Sequence, residues 1–545
     1  MNSKPKQLTA ENTRSDTIET AHKIGLALSG GGFRASAFHL GVLKRLEELR
    51  LLDHVSLIST VSGGSITGAL YALRCSKNGS GVPGSYPIES LIAEIRPFLQ
   101  SNLRGKALCG SPLRILRTVG SFFLPWVRRM PLIVETLDDA VFKSAHVSDL
   151  PPWIVINATN LTTGKAWKFF HDRAGDFLIG ATSHTSEITV ATAVGASAAY
   201  PVLNDPYPFS TRWEYLRGDL LDDRWERPPI DVTGETSRWR DRFGKREGNV
   251  IIPLTDGGVY DNEGLNSLRG AKITHAIVSS VAPPDSNFHS GRELNSLTRV
   301  ISVMHARLGA VTRQHAHEMT HGVDPTQAQA ELREIASLLR QQGEAAVNKE
   351  LQFHEIADRI DRISQVGSPY RGHQFTTTTQ ILLHRSDIAK KRFADTQVDP
   401  LCIPVEYEGL DAQLVEEISR VRTDLDALEP KVFDLLVAQG YFLTDAYLKL
   451  SMPDVLLHYS ELTDLNDLQG DASWDWAQQV ISGANNNPQD TMVLLRRAAS
   501  RKIVGNTNSG FQAVFLWINL ITTVIIILFL LCYGLYKAAS FFCHF

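Results

Sequence analysis

The sequence predicts an α/β fold built on a mainly parallel sheet, followed by a helical C-terminal region and one transmembrane helix. Three observations lead there. Short apolar runs end in glycine-rich turns: Ile24 to Leu28 before Gly30-Gly31-Gly32, Val55 to Ser59 before Thr60-Val61-Ser62-Gly63-Gly64, and Val250 to Leu254 before Thr255-Asp256-Gly257-Gly258. Between the first two runs Leu40, Leu43, Leu46 and Leu49 recur at near-helical spacing, with Lys44, Arg45, Glu47 and Glu48 among them. That is a β-α-β unit, the crossover that parallel strands require. Near the end of the chain, Ala513 to Tyr536 runs for 24 residues without a charge.

Open α/β sheets place their sites at the carboxyl ends of strands, so the turns are where chemistry is sought. At the first turn three glycines open a helix. Without Cβ atoms their backbone N–H groups can converge on one anionic oxygen, aided by the positive end of the helix dipole. At the second, Ser62 sits on a sharp strand-to-helix turn, with Gly63 and Gly64 after it and a helix from about Ser65 to Leu73. This is the nucleophile-elbow pattern, with Thr60 where the first glycine usually stands. A serine beside an oxyanion cradle points to acyl transfer. Gly30-x-Gly32-x-x-Ala35 also fits a dinucleotide fingerprint, which needs an acid about 20 residues on. That place holds Thr60 and Ser62, and no carboxylate follows until Glu89. No Gly-Lys-Ser/Thr follows the glycines, so a P-loop is excluded. The third turn holds Asp256 at a strand end, where a carboxylate within reach of Ser62 can take its proton directly.

In these residues the chain resembles the patatin-like phospholipases, lipid acyl hydrolases with a Ser-Asp dyad. The resemblance lies in GGGFR, the S-x-G elbow and DGGVYDN, in that order, and in the stretches INATNLTTGKAWKF and ATAVGASAAYPVL. It covers roughly Ile24 to Met304. It implies a three-layer α/β/α core, Ser62 as nucleophile and Asp256 as base. It also implies an oxyanion hole from Gly30, Gly31 and Gly32, with Arg34 at the basic position of the motif. Thr60 and Ala35 depart from the family pattern. A Ser62-Asp256-His275 triad would follow hydrolase chain order, whereas the resemblance implies a dyad. No cofactor or metal is required by this chemistry.

The remaining chain sets bounds. Its 545 residues exceed one typical domain, and a net charge of −4 suggests no bulk affinity for nucleic acid. Five cysteines (Cys75, Cys109, Cys402, Cys532, Cys543) show no C-x-x-C spacing, which fits a reducing compartment. The organisation expected is a polar tail over 1–23, with no signal peptide, and a catalytic domain over 24–304. A mainly helical region over 305–505, a transmembrane helix over 513–536 and a short tail over 537–545 follow. Within 102–134, Arg104, Lys106, Arg114, Arg117, Arg128 and Arg129 alternate with apolar residues and no acid is present. This reads as an interfacial lid over Ser62 or as an ordinary insertion covering the sheet.

Strands are expected at Trp153 to Ala158, Lys165 to Phe170, Lys272 to Val281 and Phe375 to His384, and a small-residue helix at Ala191 to Ala199. Tyr207 to Asn249 reads as a surface excursion. Leu297 to Met319 reads as a helix whose His305, His315 and His317 present no zinc face. The charge-alternating helices of 327–363 offer a possible protein-docking surface, and Leu414 to Gly440 is helical. In 513–536, fifteen Leu, Ile, Val or Phe at roughly −0.4 kcal/mol each outweigh Asn519. Arg496, Arg497, Arg501 and Lys502 precede it and only Lys537 follows, so the positive-inside rule places the large N-terminal domain in the cytosol. The reading is a membrane-anchored, single-pass serine hydrolase at a lipid bilayer, cleaving acyl esters of phospholipids or lysophospholipids. The alternatives are an esterase or thioesterase on other acyl groups, and a catalytically silent lipid-binding or scaffold protein.

Overall fold

The computed structural model describes residues 23–281, 377–383 and 407–500, apart from 79, 124–127, 202–203, 223, 226–246, 272, 423–424 and 460–471. β1 (Ile24–Leu28) and β2 (Val55–Val61) pair in parallel, with α1 (Gly32–Glu48) as their crossover, α2 (Gly63–Lys77) leaving β2 and α3 (Ile88–Leu99) packed on α1. β3 (Ile154–Asn160) lies parallel beside β2, and β9 (His275–Ser280) and β10 (Thr377–Leu382) extend the parallel part beyond β1. The order is β10-β9-β1-β2-β3-β4-β5-β6. On the far side, β4 (Lys165–Phe169), β5 (Ala174–Asp176) and β6 (Gly180–Thr182) run antiparallel. β7 (Tyr207–Arg212) and β8 (Asn249–Asp256) form an antiparallel pair, and β8 also meets β3.

Both faces of the parallel part are covered, which is why β1 reads as one unbroken apolar run. Successive strand residues point to opposite faces. Leu26, Leu28 and Ile277 enter a large core with Phe38, Leu43, Ile66 and Val194. Ala27, Ala276 and Val278 enter a smaller one with Leu265 and Leu268 of α8 (Leu265–Gly270). α7 (Val190–Ser197) overlaps the predicted small-residue helix, starting one residue before it and ending two short of it, and belongs to the larger core. The fold is thus the expected α/β one with a mainly parallel central sheet, its larger core under α1, α2 and α7 and its smaller one under α8.

The 102–134 stretch forms α4 (Leu103–Cys109), α5 (Pro112–Phe123) and the start of α6 (Met130–Leu137). Leu103, Ala107 and Ile115 are buried, while Leu113 and Leu116 stay exposed. Its cations are partly matched by carboxylates outside the stretch: Arg129 pairs with Asp205 at 2.7 Å and Arg117 with Glu135 at 3.7 Å. α6 packs on α7, where a Cβ on Gly195 would meet Val134 Cγ2 at 2.3 Å.

The expected boundary at 304 is not a packing boundary. β10 joins the sheet, and α10 (Pro430–Ser451) lies directly on α1. The two helices approach so closely that a Cβ on Gly41 would stand 1.8 Å from the Val437 carbonyl oxygen. Asp445 accepts from Arg45 Nε at 2.9 Å and from Lys449 Nζ at 2.8 Å, all three side chains being buried. The predicted helix over Leu414 to Gly440 is in fact two, α9 (Ala412–Ser419) and α10, separated by a turn that ends at Glu429-Pro430.

The single-pass membrane placement is corrected. Among the described residues no helix is long and apolar enough to cross a membrane. The long helix α10, at 22 residues, carries Lys431, Asp434, Asp445 and Lys449 and is a core helix. The cytosolic orientation built on the anchor is withdrawn with it. The anchor stretch 513–536, the tail 537–545, the polar N-terminus before residue 23, the His-bearing helix of 297–319 and the helices of 327–363 lie outside the described residues.

Substituting Gly41→Ala forces α1 and α10 apart. The expected loss of unfolding free energy is about 3 kcal/mol, read by urea denaturation. A loss below about 1 kcal/mol would show that the helices do not depend on this contact.

Candidate active site

The serine turn is strained and held from several sides. β2 ends at Val61, and Ser62 adopts φ 50° and ψ −115° as the residue capping α2. A side chain rarely adopts such a backbone, which persists only where its surroundings over-determine it. Gly63 is the reason the turn closes: a Cβ there would stand 2.0 Å from the Gly32 carbonyl oxygen, so the glycine turn and the serine turn touch backbone to backbone. The Ser62 N–H donates to Ser197 Oγ at 2.8 Å. Thr60, in place of a glycine, is accommodated. Its hydroxyl donates to the Val155 carbonyl at 3.0 Å, and its methyl faces Gly68, where a Cβ would lie 2.5 Å away.

Asp256 ends β8 opposite Ala158 of β3. That pairing, with a bond from its N–H to the Ala199 carbonyl at 3.1 Å, fixes the main chain. The carboxylate accepts the Gly258 N–H at 2.7 Å, and the Ser62 hydroxyl lies near enough to favour its charged form. Burial pushes its pKa up to about 6, opposed by those two donors. The result is a carboxylate poised near neutral pH beside a hydroxyl.

Two expectations about the glycine turn need correction. The Gly30 N–H donates to the Asn262 carbonyl at 3.0 Å, so it is engaged in holding the turn and is not free for an oxyanion. Gly31 and Gly32, both at positive φ, make no such bond to a described residue, and they open α1 with the positive end of its dipole beside Ser62. Arg34 is buried and faces away from this chemistry. Its guanidinium donates to the Ser419 carbonyl, to Val421 at 2.8 Å and to Val281 at 2.5 Å. It clamps α1 to the C-terminal region, because buried carbonyls there need donors. Burial pulls its pKa down to about 10, so it stays charged at neutral pH.

His275 is not placed as a triad member. It begins β9 level with Ile24, which pairs with Val55 at the start of β2. Ser62 lies beyond the other end of β2, roughly 20 Å along the strand direction. The histidine that does matter locally is His39, on the buried side of α1. Its Nε2–H donates to the Ser29 carbonyl at 2.9 Å, which leaves Nδ1 to accept from Ser279 Oγ at 2.8 Å. Burial pulls its pKa down to about 4, so it is neutral and orients the peptide before the glycines. Nothing local in the sequence marks this role, since its partners are on β9 and at the end of β1. Among the described residues no group of three His, Cys, Asp or Glu side chains is arranged to hold a metal ion.

Comparison with known proteins bears on this geometry. Residues 26–269 match the family model of patatin-like phospholipase, a segment that contains all three turns. No curated protein matches the chain in sequence. Among solved structures, human GIVD cytosolic phospholipase A2 is 14% identical over 53% of this chain and 48% of its own, with a TM-score of 0.34. Its complex with methyl gamma-linolenyl fluorophosphonate is 11% identical over 81% of this chain and 59% of its own, at 0.40. VipD from Legionella pneumophila is 11% identical over 89% and 93% of the two chains, at 0.23. The chain thus spans about half the length of the human phospholipase it matches. Superpositions this loose carry no weight beside the family match. What the chain shares with known proteins is thus the likeness of residues 26–269 to the patatin-like phospholipase family model.

Proposed function

We propose that this chain is a serine acyl-ester hydrolase that cleaves phospholipids or lysophospholipids through Ser62 and Asp256. The observation that carries the reading is the placement of Ser62 at a strained strand-to-helix turn, its hydroxyl close enough to the buried Asp256 carboxylate to lower its pKa. Ser62 Oγ attacks the ester carbonyl while Asp256 takes the hydroxyl proton. The carbonyl oxygen, now negative, is held by the Gly31 and Gly32 N–H groups at the start of α1. Collapse of this intermediate breaks the ester C–O bond, and Asp256 returns its proton to the departing lipid alcohol. Water then attacks the acyl-enzyme with Asp256 again as base, releasing the fatty acid and restoring Ser62. The base needs no partner histidine, because its raised pKa already lies near the pH of the reaction.

Wild-type protein incubated with mixed phospholipid micelles is expected to release fatty acid and to be labelled at Ser62 by a fluorophosphonate probe. Ser62→Ala abolishes both, and Asp256→Asn lowers kcat roughly 10²–10⁴-fold. Hydrolysis that survives Ser62→Ala would overturn the assignment.

The pH dependence follows from the base. The expected kcat/KM rises with pH through about 6 and levels above it, as Asp256 ionises. A flat profile, or a midpoint at the ordinary carboxylate value, would remove Asp256 from this role.

The same group has a consequence for stability. Its folded pKa of about 6 lies above the ordinary 3.8, so folding favours the protonated form. This contribution is complete below the ordinary value and is lost as pH rises through about 6; at neutral pH the buried charge costs up to roughly 3 kcal/mol. Asp256→Asn is therefore expected to melt higher than wild type at pH 7, with the gain disappearing in acid. An unchanged or lower melting temperature at pH 7 would contradict it.

A further inference from the structure

We propose that Ser197 is a positioning residue that sets Ser62 and Asp256 against each other, an inference that rests on the hydrolase reading above. The last carbonyls of a helix have no partner within it. At the end of α7 they are taken by the aspartate turn. The Gly257 N–H donates to the Ser197 carbonyl at 3.1 Å, the Asp256 N–H to the Ala199 carbonyl at 3.1 Å, and the Thr255 hydroxyl to the same Ala199 carbonyl at 2.8 Å. The side chain of Ser197 serves the other partner. Its Oγ accepts the Ser62 N–H at 2.8 Å and donates its proton to the Asn157 carbonyl at 2.6 Å, with Ser65 Oγ 3.0 Å away. The hydroxyl's donor site and one acceptor site are thereby filled, while Ser65 Oγ donates to Thr60 Oγ1 at 3.1 Å.

A single buried residue thus holds the base's turn through its carbonyl and the nucleophile's amide through its hydroxyl. The hydroxyl bond falls on the residue with φ 50°, where backbone strain most needs support. α7 cannot retreat, because Val134 of α6 fills the space beside Gly195. Loss of the Ser197 hydroxyl frees the Ser62 amide to relax, and Oγ then drifts from the carboxylate. Misplacement by an ångström lowers the chemical step without altering how the substrate's remote parts are bound. It also removes from Asp256 a donor that holds its pKa down.

The test is kcat, KM and the pH profile of Ser197→Ala, Ser197→Cys and Ser197→Thr on a soluble acyl ester, with melting curves for each. Ser62→Ala is the reference. Ala and Cys are expected to lower kcat about 10–100-fold with KM within about two-fold, and to move the acidic limb to higher pH. Thr, which keeps the hydroxyl, is expected to recover most of the rate. Cys preserves the packing and decides the matter should Ala fail to fold. A folded Ser197→Cys with wild-type kcat and an unmoved acidic limb overturns this inference alone. Absence of any Ser62-dependent hydrolysis in wild type overturns the hydrolase reading, and this inference with it.

Discussion

The contact between Gly63 and the Gly32 carbonyl is the constraint on which the site depends. It brings the turn after β1 and the turn after β2 together with no side chain between them. Two helices then start at the same place, and both positive dipole ends lie at the turn that carries Ser62. Parallel pairing in register, Leu28 beside Thr60, brings the two strand ends level. β8 arrives from the other direction, antiparallel to β3, so that its own carboxyl end adds Asp256 to the group.

Local chemistry made much of this legible. Apolar runs that stop at glycines mark β1, β2 and β8, and the interval Leu40, Leu43, Leu46 marks α1. The turn residues themselves name Ser62 and Asp256. What could not be read is long-range hydrogen bonding. Whether the Gly30 N–H is free depends on the Asn262 carbonyl, and whether Arg34 serves the site depends on carbonyls hundreds of residues away. Neither partner has a local signature. Ser197 lies in a stretch whose small residues are visible, yet simple core packing explains small residues equally well. Only the burial of its hydroxyl between Ser62 and Asn157 distinguishes it. The membrane placement rested on the apolar run 513–536 and the charges flanking it, and the long helix that is described, α10, buries its apolar side on α1.

Electrostatically the site is plain. Asp256 faces a hydroxyl and a peptide N–H, and burial dominates its ionisation. His39 stays neutral and serves only to orient a peptide group. The nearby buried cation, Arg34, is occupied by backbone carbonyls. A base tuned by desolvation responds to whatever covers it, so water exclusion and proton affinity are one variable here.

The Arg34 clamp also sets an order of events during synthesis. The guanidinium sits two residues past the glycine turn, and its Ser419 partner is 385 residues downstream. At roughly 5–20 residues per second, the ribosome adds that partner some 20–80 s after Arg34 has emerged. Through that interval the apolar side of α1 lacks α10, and the start of the helix lacks its anchor. The candidate site is thus kept incomplete on the ribosome, and its glycine turn gains its final support among the last parts of the fold.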